Sequence, residues 1–218
     1  MPYSILIPIH NEETNIPALL DELKYYTPDH EVLIIDDGST DGSFTLLSKY
    51  TYINLIRMEK NSGKGAAIRK GLEQATHNKV IISDGDLELD PKEISILMIL
   101  DKEKGIQCVF GSRYKTIHPF TSFWDFGNFF FTGLFNMVHG SQHTDALCCA
   151  KAFYRSYINI EKLQSTGFDI DVELAVTLKK KNINIKTVYL GYTRRSENEG
   201  KKLRFSDGWP ILKRILNH

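Results

Sequence analysis

The chain has 218 residues, 42% of them hydrophobic and 25% charged, and its 27 basic and 27 acidic side chains cancel. That length accommodates one well-buried domain or at most two small ones, and zero net charge excludes bulk attraction to nucleic acid. No apolar run reaches the ~18 residues of a membrane span, and Cys108, Cys148 and Cys149 show no metal-ligand spacing, as expected in a reducing compartment.

YSILIPI, at the start, is a wholly apolar, β-branched run of the kind that forms a strand covered on both faces. HNEETNIPALLDELKYY then changes period. Ile16, Leu19, Leu20 and Leu23 recur at helical spacing behind Asn, Glu and Thr, which suit a helix start. EVLIIDD is a second buried strand, DGSTDGS a turn and FTLLSKY a short helix; INLIRME is a third strand, NSGKG a glycine-rich turn and AAIRKGLEQAT a helix. KVIISD, PKEISILMILDK and QCVFGS follow as strand, helix and strand. Strands alternating with helices of this length predict right-handed βαβ units, an α/β fold and a largely parallel sheet.

Ligands of such sheets gather at the carboxyl ends of the strands. Residues 8–12, Asp36 with Asp37, residues 61–65 and residues 84–88 all fall there. Singly, NEE reads as a helix cap, DDGSTDG as a capped turn and NSGKG as a loop; four polar clusters at one edge read as a site. VIISDGDLELDP poses the sharpest question, because Asp84, Asp86, Glu88 and Asp90 crowd four mutually repelling carboxylates behind a buried strand. A cation resolves it: Asp84 and Asp86 offer hard oxygen ligands for Mg2+ or Mn2+, Glu88 can reach the same ion, and such ions bridge carboxylates to substrate phosphates. Asp37 suits a nucleobase and Glu12 a ribose hydroxyl. NSGKG lacks the spacing of a Walker phosphate loop, so a diphosphate would be held by metal. Charge is also lopsided along the chain: residues 1–100 carry 16 acidic and 9 basic side chains, residues 179–214 carry 3 and 11. The C-terminal part is therefore expected to face an anion, a phosphate or a lipid headgroup.

PIHNEE, IIDDGSTDGS, NSGKGAAIRKG, DGDLELDP, FGSR, DALCCAK and FDIDVELA occur in the order and spacing of the family 2 inverting glycosyltransferases of the GT-A fold. The chain most resembles their dolichyl- and polyprenyl-phosphate sugar synthase branch, over nearly its whole length. The resemblance implies one GT-A domain over residues 1–218, with a Rossmann-like nucleotide-sugar half at 1–115 and an acceptor half at 116–218 that ends in a basic flap. It implies a nucleotide diphosphate sugar, UDP- or GDP-linked, as donor and Mg2+ or Mn2+ as cofactor. Pro8, Asn11, Glu12, Asp37, Lys64 and Asp84 would bind the donor, with Arg195 and Lys201 closing over its diphosphate. Asp84 and Asp86 would be the D-x-D metal pair, with Glu88 beside them. Asp86, Arg113 and Asp145 would be catalytic, Arg113 facing the diphosphate or the acceptor. Glu173 matches the family's acceptor-side glutamate. Asp145 opens the D-x-x-x-G-F-[RK] element, whose Lys151 is present but whose Gly and Phe are here Cys149 and Ala150.

The acceptor implied is a polyprenyl or dolichyl phosphate, with a soluble sugar or glycan hydroxyl as the alternative. Favouring the lipid is the aromatic tract of residues 120–135, wide enough to dip into a bilayer interface; a core-packing helix is its plain reading. Favouring the soluble acceptor is Asp125, which stands near where relatives place an arginine for the lipid phosphate. An anionic phosphate acceptor needs no base, whereas a hydroxyl needs a carboxylate, for which Asp145 is the candidate. A nucleotidyltransferase should carry a phosphate loop after strand one, where HNEETN stands, and a non-catalytic nucleotide-binding module would not need the basic C-terminal half. A cytoplasmic location is expected, without a secretion signal or a membrane span, and with peripheral contact to the cytoplasmic membrane face if the acceptor is lipid. His139 and His143 lack a third ligand for zinc, and Cys148 and Cys149 read as small core hydrophobes.

Overall fold

The computed structural model describes residues 1–115, 122–195 and 205–216. Lys201 and most of the predicted flap, residues 194–204, lie outside the described residues, as do residues 120 and 121 of the aromatic tract. The strands are β1 (Ser4–Ile9), β2 (Glu31–Asp36), β3 (Asn54–Arg57), β4 (Lys79–Ile82), β5 (Cys108–Ser112), β6 (Lys151–Tyr154) and β7 (Ile185–Tyr189). The helices are α1 (Ile16–Leu23), α2 (Ser43–Leu47), α3 (Lys64–Gln74), α4 (Ile94–Leu97), α5 (Phe123–His139), α6 (Ile170–Lys179) and α7 (Gly208–Leu216).

Alternation along the strands divides the core into two layers. Ile5, Ile7 and Ile9 of β1 and Val32 and Ile34 of β2 share a cluster with the apolar stripe of α1, Leu47 of α2 and Ile94 and Leu97 of α4. Leu6, Leu33 and Ile35, on the opposite face, join Ala67, Ile68 and Leu72 of α3, Phe135 of α5, the buried side of α6, and Ile211 and Ile215 of α7. Burial on both faces explains why the strands read as continuous apolar runs.

The sheet order is β3-β2-β1-β4-β6-β5-β7. The predicted α/β class and largely parallel sheet hold, since β1 pairs in parallel with β2 and β4, β2 with β3, and β5 with β7. Two features differ from expectation. β6 runs antiparallel between β4 and β5, pairing Ile82 with Lys151, so the segment entering β6 sits beside the carboxyl end of β4. The helix read in PKEISILMILDK shrinks to a 3-10 turn at Pro91–Glu93 and one turn of α4. Met98, at ψ 37°, leaves the helical region, and the chain reverses through an Asp101–Ile106 bridge. Chain order reverses about β1, with β2 on one side and β4 on the other, which opens the crevice where ligands of such sheets bind.

Candidate active site

A cleft of about 980 Å³ opens over the carboxyl ends of the strands. One wall carries Pro8, Asn11, Glu12, Asp37, Lys64, Asp84, Asp86 and Glu88; the facing wall carries Arg113, Tyr114, Trp124, Phe126, Phe130, Tyr192, Arg194 and Arg195. Every predicted site residue among those described, apart from Asp145 and Glu173, therefore lines one cavity.

On the first wall, carboxylates shape loops as well as line space. Asp37 accepts hydrogen bonds from the backbone amides of Ser62 (2.7 Å) and Gly63 (2.8 Å), which fixes the NSGKG turn over the cleft. Gly63 has φ +92°, and a Cβ there would lie 2.2 Å from the Thr166 carbonyl, so glycine is required both for backbone conformation and for space. His10 fastens the same rim: Nδ1 lies 2.8 Å from the Asp37 carbonyl and Nε2 lies 2.9 Å from the Asn61 side chain. Asn11 sits at φ +50° and its side-chain oxygen accepts from the Thr40 amide at 2.8 Å, closing the DDGST turn. Pro8 is in β1 and lines the cleft.

The acidic cluster is neutralised by the chain's own cations. The Lys64 ammonium lies 2.9 Å from Asp84 and 2.8 Å from Asp171. Burial lowers its pKa, but Asp171 and Asp84 outweigh that and hold it well above the usual lysine value. Burial likewise lifts the Asp84 carboxyl, and Lys64 overcomes it, leaving Asp84 below the ordinary range. Asp86 goes the other way: burial and then the adjacent Asp84 charge raise it to about 6, with Arg195 pulling against them. Arg195 reaches across the cleft, Nη1 at 3.0 Å from Glu12 and Nη2 at 3.1 Å from Asp86, while its backbone amide donates to Glu88 at 3.1 Å.

Asp84, Asp86 and Glu88, the predicted metal set, all line the cleft. Among the described residues no three His, Cys, Asp or Glu side chains converge as a metal site. Asp84 is committed to Lys64, and Glu88 takes the Arg195 amide. Asp86 fits a divalent ion by itself: it is a hard oxygen donor in the cleft whose only charged hydrogen-bond partner among the described residues is Arg195, and Mg2+-type ions are commonly held by one or two carboxylates plus substrate phosphates.

Asp145, the candidate base, is bound by Arg113 and Asn128. It accepts from Arg113 Nε (2.8 Å), Nη2 (2.9 Å) and backbone N (3.1 Å) and from Asn128 (3.0 Å), and its side chain is fully buried. Burial would raise its pKa, but Arg113 holds the carboxyl below the usual range, so it neither reaches the cleft nor takes a proton readily. It positions Arg113, which does line the cleft. Glu173 is buried too and accepts from the amides of Gln164 and Ser165, anchoring the loop before α6. Asp171, two residues earlier in α6 and so on nearly the opposite side of the helix, lines the cleft instead, with Oδ1 unpartnered. Burial, against the pull of Lys64, raises its pKa. The sequence offered a signal for it, because FDIDVELA places Asp171 and Glu173 two residues apart, on nearly opposite sides of a helix, so that they cannot both face one cleft.

Asp125, expected to repel an anionic acceptor, is neutralised. Arg194 bonds both its oxygens, Ser122 donates to it at 2.6 Å and Tyr114 at 2.9 Å. These bonds, led by Arg194, outweigh its desolvation and hold the carboxyl far below the usual range. Past this cluster the cleft runs onto apolar surface. Phe126, Phe129 and Phe130 on α5 are about half exposed and Trp209 on α7 is 75% exposed, while Phe135, Ile211 and Ile215 turn inward. The plain reading of the aromatic tract, a core-packing helix, thus describes one side of α5 only. Among the described residues no helix is long and apolar enough to cross a membrane.

A sequence model described as Glycosyl transferase family 2 matches residues 4–160. The undecaprenyl-phosphate 4-deoxy-4-formamido-L-arabinose transferase of Yersinia pestis (strain Pestoides F) is 35% identical over 109 residues, covering 46% of this chain and 33% of that protein. The enzyme of the same name from Pseudomonas fluorescens (strain Pf0-1) is 36% identical over 115 residues, covering 49% of this chain and 34% of its own. The chain thus spans about a third of the length of the curated relatives it matches. Among solved structures, glucosyl-3-phosphoglycerate synthase from Mycobacterium tuberculosis, crystallised with Mn2+, UDP and glucosyl-3-phosphoglycerate, superposes with TM-score 0.76 at 17% identity, covering 99% of this chain and 79% of that one. Mannosyl-3-phosphoglycerate synthase from Rubrobacter xylanophilus gives TM-score 0.73 at 14% identity, covering 100% and 73%. At these identities the structural likeness establishes the GT-A fold and nothing finer.

Proposed function

Since the chain belongs to glycosyl transferase family 2, we propose that it moves a sugar from a nucleoside diphosphate donor to a polyprenyl phosphate at a membrane surface. One observation carries the choice of acceptor: the polar donor wall and an exposed aromatic helix face are parts of one continuous cleft. The relatives named for undecaprenyl phosphate, and a structural neighbour crystallised with Mn2+ and UDP, support the same reading.

In this reading the nucleoside lies along Pro8, Asn11, Glu12 and Asp37, with the diphosphate toward Asp86. A divalent ion at Asp86 would supply charge stabilisation for the departing diphosphate. Lys64 keeps Asp84 and Asp171 ionised and in place as the donor arrives. Arg113, held rigid by Asp145, and Arg194, held by Asp125, give the facing wall two fixed guanidinium groups for an anionic acceptor. A phosphate oxygen already carries the negative charge for attack at the anomeric carbon, so no general base is needed.

Asp171 favours a second reading, transfer to a sugar hydroxyl. It lines the cleft, and its raised pKa and unpartnered, buried Oδ1 suit a proton acceptor. A radiolabelled-sugar assay separates the two. Product that partitions into organic solvent only when undecaprenyl phosphate is supplied, with activity retained in Asp171→Asn, supports the lipid phosphate. Label appearing on soluble glycans and lost in Asp171→Asn would replace it with the hydroxyl reading.

A further inference from the structure

Arg195 is placed to do two things that cannot happen at once. In this structure its guanidinium ties Glu12, after β1, to Asp86, after β4, across the crevice between the two strands. The side chain is only 14% exposed, so it fills the space beside Asp86 and is not a surface decoration. Nη2 of Arg195 lies 3.1 Å from Oδ2 of Asp86, on the carboxylate that would hold a divalent ion. A guanidinium and a divalent ion drawn by the same carboxylate repel each other.

The chain just before Arg195 is held independently of this side chain. Tyr192 bridges to Leu89, the Thr193 amide donates to the Glu88 carbonyl at 2.9 Å, and Arg194 is bound by Asp125, Ser122 and Tyr114. Release of the Arg195 guanidinium from Glu12 and Asp86 therefore leaves the contacts of residues 192–194 in place.

We propose that Arg195 is an exchangeable counter-ion. Without donor it neutralises Glu12 and Asp86; when a divalent ion and a nucleoside diphosphate enter together, Asp86 passes to the ion and the freed guanidinium pairs with the diphosphate. The ion alone binds weakly because it must displace Arg195 with nothing to receive that charge, whereas the ion with nucleotide binds well because the diphosphate receives it. Arg195 is thus a positioning residue that couples the two ligands. This rests on the donor site proposed above.

The test titrates Mn2+ into the protein without nucleotide, following free Mn2+ by electron paramagnetic resonance, and then titrates UDP at saturating Mn2+. Arg195→Gln should bind Mn2+ alone about five-fold more tightly than wild type and UDP about five-fold more weakly, because one unit of nearby positive charge is gone. Arg195→Lys should keep the weak Mn2+ binding of wild type. If Arg195→Gln is folded and its affinity for Mn2+ alone is unchanged, reduced or absent, the exchange is overturned, even if wild type binds UDP well. If Arg195→Gln gains Mn2+ affinity but neither protein binds UDP, the counter-ion role stands and the donor site falls. Should the glutamine variant not fold, nitrogen-15 spectra of the arginine Nε–H groups in wild type decide: Mg2+ with UDP should shift the Arg195 signal, and an unmoved signal at saturation overturns the proposal.

Discussion

Replacing Asp145 by asparagine tests whether this residue is a positioning group or a base. The buried carboxylate accepts three hydrogen bonds from Arg113 and one from Asn128, and Asn128 is in turn held by Thr132 at 3.0 Å. Asparagine keeps the volume but removes the charge and turns an NH2 toward the guanidinium. Removing one partner of a buried pair costs ~3–5 kcal/mol. The Arg113 side chain is 21% exposed and can recover some hydration, which places the expected loss near the lower end, about 3 kcal/mol. For a chain of this size each kcal/mol moves Tm by roughly 2–4 °C, so Asp145→Asn should melt about 6–12 °C below wild type in a calorimetric scan. The double variant with Arg113→Gln should fall short of the sum of the single losses, because the two residues share one set of bonds. A Tm within about 2 °C of wild type, together with lost transfer activity, would refute the structural role and return Asp145 to catalysis.

Stability should also respond to His143, whose ring packs against Phe110 and Phe135 with Nε2 buried and unpartnered. Burial, then the Lys151 and Lys179 charges, lower its pKa to about 4. The unfolded chain therefore binds more protons, and stability is lost as pH falls from about 6.5 toward 4. Between neutral pH and pH ~4.5 wild type should lose about 2 kcal/mol more than His143→Phe in urea unfolding, and parallel losses would contradict it. The exposed face of α5 and α7 predicts association with vesicles of anionic lipid in a flotation assay. Phe130→Ala with Trp209→Ala should reduce it about ten-fold or more, each ring removing apolar area without opening the core; wild type that stays wholly in the aqueous fraction at low salt would end the lipid-surface reading.

The alternating strands were legible because each is short, apolar and followed by a polar turn, and Asp37, Asp84 and Asp86 were legible because acids at buried strand ends have no structural need to cluster. β6 was not legible. KAFY is four residues long, begins with a lysine that is fully buried, and is separated from the end of α5 by the non-helical stretch 140–150. Its antiparallel course is set by tertiary pairing with β4 and β5, which local pattern does not encode. The partners of the acids were hidden for the same reason. Lys64 lies 107 residues from Asp171, and Arg195 lies 183 from Glu12, separations at which only the closed sheet brings charges together. Asp125 misled for want of its partner: as a lone acid it argues against an anion, and paired with Arg194 it supplies one wall with a fixed cation.

The central claim is that a nucleoside diphosphate binds at the carboxyl edge through a divalent ion on Asp86, and calorimetric titration of UDP and of GDP tests it most directly. With Mn2+ present, wild type should bind one of the two, and both excess chelator and Asp86→Asn should weaken that binding at least about thirty-fold, as expected on losing a charged contact, without lowering Tm. Equal affinity for the nucleotide with chelator or Mn2+, and in wild type or Asp86→Asn, would contradict the account.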